Sequence, residues 1–273
     1  MPELPEVETV VRVIRPLVME RVITDVRLLI PRQLEPQTVQ QVRRGLKQKR
    51  IVKVERKGKF ILIHLDEGLL LIHLRMTGRL YVRDSAVELT KHERASFILD
   101  NGTALVFHDP RTLGTISYCK HTEDVPALTK LGWDPLTDEI SVEDIREILA
   151  GRTVAIKVLL LDQTVWAGIG NIYASEILWV AGIHPEKQAN LLTKHQLQAL
   201  IEAVPLVLKN ALTKGGSTLR DFMSPDGKRG GYSKEFRVYD RDGETCYRCK
   251  KPIRRIVQAQ RSTYYCAGCQ KKR

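Results

Sequence analysis

Four of the five cysteines of this 273-residue chain fall in one short stretch, as Cys246-x2-Cys249 and, sixteen residues later, Cys266-x2-Cys269. Each C-x2-C turn points both sulfurs the same way, and two such turns place four thiolates at tetrahedral corners, which suits Zn2+. Two disulfides are the competing pairing. They are disfavoured because the acidic start MPELPEVETV lacks a basic segment followed by an apolar one, so no secretory leader is visible and a reducing cytosol is the default. Cys119 stands alone in an apolar, strand-like run and reads as a buried small hydrophobe. The other place where chemistry is legible is the N-terminus, Pro2-Glu3-Leu4-Pro5-Glu6-Val7. One reading is a helix start, with Pro in the first turn and acids at the positive end of the dipole. The other is a nucleophile: removal of Met1 would leave Pro2 as a free secondary amine. The reference pKa of a terminal amine, near 8, lies well below that of lysine, so more of it is unprotonated at neutral pH. Such an amine attacks an aldehyde-like sugar carbon to form an iminium, and Glu3 and Glu6 are spaced to move protons beside it.

Around these residues the chain resembles the formamidopyrimidine-DNA glycosylases, bifunctional bacterial repair enzymes for 8-oxoguanine and ring-opened purines. The likeness covers the whole chain. It rests on Pro2-Glu3-Leu4-Pro5-Glu6-Val7-Glu8, Arg56-Lys57-Gly58-Lys59-Phe60, His73-Leu74-Arg75-Met76-x-Gly78, Asp109-Pro110-Arg111-x-Leu113-Gly114, Ala167-Gly168-Ile169-Gly170-Asn171-Ile172-Tyr173, Gly215-Gly216-Ser217-Thr218 and the four-cysteine terminus.

The resemblance implies a role for each matched residue. Pro2 is the nucleophile at C1′ of the damaged nucleotide, and Glu3 donates and accepts protons around the sugar. Glu6 holds water or supports the damaged-base pocket, and Lys59 moves a proton in β-elimination. The duplex has to be opened to expose the target, and the hole has to be filled. Met76, Arg111 and Leu113 match the family's wedge, with Arg111 on the orphaned opposite base. The third position is often Phe in the family, and Leu113 fills volume but stacks less. His92 matches a DNA contact, although Arg94 stands where many members have a second His. Arg152, Lys157, Asn171 and Tyr239 match phosphate or lesion contacts. Arg261 lies between the cysteine pairs, where it flanks the lesion in the minor groove and assists δ-elimination. The 217–232 segment resembles a loop that closes over the everted base. The implied partner is damaged double-stranded DNA, the implied cofactor one structural Zn2+, and the implied enzyme a monomer in the cytoplasm, associated with the nucleoid of a bacterium. Two readings compete. One is an endonuclease VIII-like glycosylase for oxidised pyrimidines, against which Leu4 and the 109–111 segment argue. The other is a non-catalytic zinc-hairpin DNA-binding protein.

The elements that must hold these groups are also readable. The net charge of +12 is uneven: residues 227–273 carry 14 basic and four acidic side chains, +10, and the rest of the chain is near neutral. A local basic segment is a footprint for a polyanion. No apolar run approaches the roughly 18–20 residues of a membrane helix. A helix is expected over 3–17, with Val7, Val10, Ile14 and Leu17 on one face. Strands are expected at 22–30, 50–56, 60–65, 69–75, 80–82, 96–99, 104–107 and 115–119, with turns at Asp66-Glu67-Gly68 and Asp100-Asn101-Gly102. Helices follow after the Ser141-x-x-Asp144 start signal and at 153–163, 171–181 and 193–213, the last kinked or divided by Pro205. Gly168-Ile169-Gly170 before Asn171 lets backbone N–H groups approach a phosphate at a helix start. Trp166 reads as local repacking. The expected fold is α+β and multidomain: an N-terminal β-sandwich with flanking helices over 1–130, a helix–two-turn–helix region over 131–225, and a loop with a four-cysteine zinc β-hairpin over 226–273.

Overall fold

A computed structural model describes residues 1–34, 36–217, 227 and 230–272. The chain divides into two compact units, Met1–Thr129 with Lys214–Gly231, and Lys130–Thr213 with Tyr232–Arg273.

The first unit opens with helix α1 (Leu4–Val18). Glu3 is its N-cap, and the Glu3 N–H donates to Glu6 Oε2 at 2.8 Å, so the first turn closes on an acid from its own sequence. Val7, Val10, Val11, Ile14 and Val18 are fully buried, whereas Leu17 is exposed. The buried stripe therefore follows the 3.6-residue period through Val11 and Val18, and the expected place of Leu17 on it is wrong. Eight antiparallel strands follow: β1 (Val22–Leu28), β2 (Lys49–Lys57), β3 (Phe60–Leu65), β4 (Leu69–His73), β5 (Arg79–Asp84), β6 (Glu93–Leu99), β7 (Thr103–His108) and β8 (Thr115–Cys119). Their order is β5-β7-β6-β1-β2-β3-β4-β8. The β1–β2 link is only two pairs long, Val22↔Arg50 and Ile23↔Lys49, so the order separates into two four-stranded leaves, the two layers of the expected sandwich. Apolar residues of both leaves and of α1 form one cluster, including Ile14, Ile61, Ile72, Leu80, Phe97 and Phe107. Helix α2 (Val39–Leu46) seals it with Val42 and Leu46; its Thr38–Gln41 capping box was overlooked in the sequence. Both glycine turns form where expected, with Gly68 and Gly102 at φ of 78° and 80°. Cys119 is half-buried on the edge strand β8 rather than enclosed, and burial still pushes its thiol upward.

The N-terminal stretch of the first unit ends with a short helix, α3 (Pro126–Thr129). The second unit holds α4 (Val142–Leu149), α5 (Ile156–Leu160), α6 (Asn171–Val180), α7 (Lys194–Thr213) and the hairpin β9 (Arg254–Gln258)–β10 (Arg261–Tyr265). Ser141 and Asp144 form the expected capping box at α4, Asp144 N–H to Ser141 Oγ at 3.1 Å and Ser141 N–H to Asp144 Oδ2 at 2.9 Å. Helix α5 is much shorter than the 153–163 span expected, because Asp162 turns the chain by accepting from the Thr164 N–H and hydroxyl. Pro205 lies inside a continuous α7 and does not divide it. Trp166 is buried against the Trp133 backbone as a packing residue, its indole N–H without a partner among the described residues. Arg248 stacks over Trp179 at 3.8 Å and donates to the Trp179 and Val180 carbonyls, so one residue of the cysteine module caps the end of α6. No helix among the described residues is long and apolar enough to cross a membrane.

Candidate active site and nucleic-acid interface

Pro2, Glu3 and Glu6 are all buried at the start of α1, Glu3 and Glu6 at 3% and 1% exposure. Glu6 uses both oxygens. Oε2 accepts from the Glu3 N–H, and Oε1 accepts from the Ser217 N–H at 2.6 Å and the Ser217 hydroxyl at 3.0 Å. A Cβ on Gly216 would come within 2.7 Å of that Oε1, so the Gly-Gly-Ser run is needed for this approach. Glu6 thus ties the N-terminus to the near end of the 217–232 segment. The far end closes through the Gly231 N–H to Lys214 O at 2.8 Å. The rest of the segment proposed to close over a base, residues 218–226, 228 and 229, lies outside the described residues.

Lys59 sits with Gly58 in the two-residue turn between β2 and β3, closed by the Lys57↔Phe60 pair. Gly58 has φ of 57°, the position a type II′ hairpin reserves for glycine. The turn is carried against α1 by Arg56, whose side chain is 3% exposed and which pairs with Glu8 at 3.2 Å and donates to Gly58 O at 3.0 Å. Lys59 is buried, at 7% exposure. Nearby His73 is pushed down to about 3 by its own burial and by the charges of Arg75 and Lys59, so it is neutral at physiological pH.

Met76, Leu113 and Arg111 project into solvent from two loops of the same unit; the two apolar side chains are 42% and 41% exposed. Exposed Met and Leu on paired loops do not serve this core. The loops meet at the buried carboxylate of Asp109, which accepts from Thr77 Oγ1, Gln33 Nε2 and the Gly114 N–H. His92 lies beside them, its ring 5.9 Å from that of His108, with an Arg94 nitrogen 3.4 Å from its Nδ1.

In the second unit Lys157, Asn171 and the strand of Arg261 converge. Lys157 is fully buried, donating to Asn171 Oδ1 at 2.6 Å, Thr263 Oγ1 at 2.8 Å and Ser262 O at 3.4 Å. Asn171 Nδ2 donates to Ser262 O at 2.9 Å. Buried as it is, Lys157 is not an exposed cation; it ties Asn171 to β10. Arg261 itself is exposed beside a turn in which Ala259 and Gln260 have φ of 45° and 59°. A type I′ turn demands two positive φ values, and neither Ala nor Gln favours them, so the tip is strained. Gln163 staples the Gly168–Gly170 turn before α6, accepting from the Gly168 N–H and donating to Ile169 O. Arg152 stands apart, exposed and 3.4 Å from Asp162.

Sequence reasoning missed Glu176. It is fully buried on α6 and accepts from the backbone N–H groups of Arg237, Val238 and Tyr239 at 2.9–3.1 Å. Burial pushes its carboxyl up, against those three donors. It fixes Tyr239, whose ring lies 5.1 Å from Tyr264 and 5.5 Å from Phe236. The only signal was an acid on an otherwise apolar helix.

The four cysteine sulfurs lie within 4.8 Å of one another, with Cys246–Cys269 at 3.8 Å and Cys249–Cys266 at 3.3 Å. Tetrahedral Zn–S bonds of about 2.3 Å put sulfurs about 3.8 Å apart, so the set fits the ion. Burial disfavours the Cys246 thiolate, but the Cys249 and Arg248 N–H groups outweigh it and bring the thiol down to about 6.

Models of three domain families match the chain: the formamidopyrimidine-DNA glycosylase N-terminal domain at residues 1–116, the H2TH domain of the same enzymes at 131–223, and a zinc finger found in FPG and IleRS at 243–272. The chain is 43% identical over 272 residues to formamidopyrimidine-DNA glycosylase of Chloroflexus aggregans, covering 99% of this chain and 98% of that one. Identity to the enzyme of the same name from Desulforamulus reducens is 41%, with 99% of each covered. Among solved structures, Lactococcus lactis Fpg in complex with abasic-site DNA superposes with a TM-score of 0.91 at 33% identity, covering 99% of this chain and all of that one. The MutM (FPG) protein of Thermus thermophilus superposes at 0.88 and 37% identity over the full length of both.

Proposed function

The chain belongs to the formamidopyrimidine-DNA glycosylase family, and from that premise we propose that its Pro2 amine is the group that excises oxidised purines. The protein is a zinc-finger DNA glycosylase for oxidised purines acting on damaged duplex DNA, and AP-lyase activity belongs to the family. Cys246, Cys249, Cys266 and Cys269 hold the structural zinc.

With Met1 removed, the Pro2 nitrogen lone pair forms a bond to C1′ as the glycosidic bond breaks and the base departs with a proton. Opening of the sugar ring leaves an iminium. The observation that carries the division of labour is the engagement of Glu6: both its oxygens are committed to the Glu3 N–H and to Ser217. That supports Glu6 as the anchor, with Glu3, which it holds at the helix start, as the acid and base at the sugar. Lys59, buried in a turn fastened to α1 through Arg56 and Glu8, is suited to proton transfer in β-elimination, which expels the 3′ phosphate. Met76, Arg111 and Leu113 fill the opened stack, with His92 on the backbone beside them. Lys157, Asn171, Tyr239 and Arg261 hold phosphates flanking the lesion, and Arg261 assists the second elimination. Arg152 adds a peripheral contact. The enzyme acts as a monomer in the cytoplasm, on nucleoid DNA, with functional regions over 1–130, 131–225 and 226–273.

Side-by-side cleavage of 8-oxoguanine:C and thymine-glycol duplexes tests this reading. Preference for the purine lesion, with a one-nucleotide gap as product, is expected. Preference for the pyrimidine assigns the endonuclease VIII-like role instead, and binding without cleavage leaves a zinc-hairpin binder.

A further inference from the structure

The loops that carry Met76, Arg111 and Leu113 are fastened to one fully buried side chain, Asp109. Its Oδ1 accepts from Thr77 Oγ1 at 2.5 Å, and Thr77 directly follows Met76. Its Oδ2 accepts from the Gly114 N–H at 2.8 Å and from Gln33 Nε2 at 3.0 Å, and Gly114 directly follows Leu113. The Asp109 backbone is held as well. Its N–H donates to His92 O at 2.9 Å, and its carbonyl accepts from Arg94 Nε at 2.8 Å and from the Thr112 N–H at 3.3 Å. Arg94 also donates to Pro110 O and Lys91 O, so the residue that replaces a second histidine clamps the back of the wedge loop. Gly114 has to be small: a Cβ there would come within 2.6 Å of the Phe107 ring and 2.9 Å of His73 O.

The backbone of both loops is unusual at matching places. Arg75, before Met76, has φ of 51°, and Thr112, before Leu113, has φ of 52°. A β-branched residue in the left-handed region persists when its surroundings over-determine it, and such outliers cluster where strain serves a function.

We propose that Asp109 is the positioning residue of the wedge. It locks the two loops into one pre-ordered body, so that Met76, Arg111 and Leu113 need no ordering when the lesion is turned out of the stack. This rests on the wedge reading above. Each loop residue left to be ordered on insertion costs about tenfold in the everted complex. The demand is sharper here because Leu113 stacks on bases less than an aromatic ring would.

The test uses the zinc-loaded full chain with an 8-oxoguanine:C duplex that carries 2-aminopurine beside the lesion, and a single-stranded abasic oligonucleotide trapped with borohydride. The second substrate has no stack to open. Asp109→Ala is expected to slow the 2-aminopurine rise and base excision tenfold or more, while single-strand trapping stays within twofold. Asp109→Asn is expected within threefold of the parent on both substrates, since its amide oxygen serves Gln33 and Gly114 while its NH2 donates to the Thr77 hydroxyl. Thr77→Val cuts one tie and should fall between. Equal losses on both substrates, an Asn variant as impaired as Ala, or an unimpaired Ala variant each overturns the proposal. Should Asp109→Ala fail to fold, a threefold or greater duplex-selective loss in Thr77→Val supports it and no loss overturns it. The Met76→Ala/Arg111→Ala/Leu113→Ala protein separates the two ideas. If that protein excises normally, the wedge reading fails; if it is impaired and Asp109→Ala is not, the positioning role fails.

Discussion

Replacing Glu176 by Ala removes the acceptor for three consecutive backbone N–H groups and leaves them facing a cavity. The Val238 bond is buried, so losing it costs about 2 kcal/mol. The Arg237 and Tyr239 bonds are part-buried and regain water at about 1 kcal/mol each. Relief from burying a carboxylate, whose pKa burial has raised, offsets about 1 kcal/mol. The net loss is about 3 kcal/mol, or roughly 10 °C in the melting temperature of the second unit. Trp133, Trp166 and Trp179 all lie in that unit, so intrinsic fluorescence during urea unfolding reports it selectively. Glu176→Gln keeps one oxygen where all three N–H groups converge and should lose only about 1 kcal/mol. Affinity for abasic duplex should fall with Glu176→Ala because Tyr239 is released. A change below 1 kcal/mol for Ala, or equal damage from Gln and Ala, would refute the reasoning.

Other outcomes follow from the same structure. Ala259→Asn with Gln260→Gly puts left-handed residues at the strained hairpin tip and should raise stability by about 1–2 kcal/mol in the same unfolding assay; no gain means the turn is not strained. Chelation should release one zinc per chain, lower the fluorescence-detected melting temperature and abolish duplex binding at physiological salt, and metal-free protein that binds as before would contradict the role of the finger. Acid should weaken the first unit in two stages. His73 is neutral in the fold with its pKa lowered to about 3, so its contribution is lost as pH falls from 6.5 toward 3. Glu93 is brought to about 2: burial opposes ionisation, but Arg83, Tyr81 and the Thr90 N–H outweigh it, so its contribution is lost from 4.5 toward 2. His73→Gln should flatten the upper part of the melting-temperature profile and Glu93→Gln the lower; unaltered slopes would reject this linkage.

What the sequence revealed was what local pattern encodes. The Ser141–Asp144 capping box, the Gly-containing turns and the C-x2-C pairs each depend on residues a few positions apart, and they formed as expected. The boundaries that failed are ones that hydrophobic spacing alone does not set. Leu17 satisfied a helical spacing but faces solvent, because the core was met by Val11 and Val18 instead. Helix α5 stopped early at an Asp162 turn that no hydrophobic period marks. Site residues were found as types and not as environments. The burial of Lys59 and Lys157 was not legible in their spacing, and Asp109 and Glu176 hold their loops through partners up to 76 residues away. Such hubs leave no local signature, because a buried acid looks like any other acid until its donors converge on it.

The account turns on the Pro2 amine. Borohydride trapping on an 8-oxoguanine:C duplex, followed by proteolysis and mass spectrometry of the adduct, tests it directly. The account predicts a protein lacking Met1, with the reduced sugar on the peptide that begins at Pro2, and loss of the adduct when Met1 is retained. An adduct mapped to Lys59 or another lysine, or full activity in protein that keeps Met1, would contradict it.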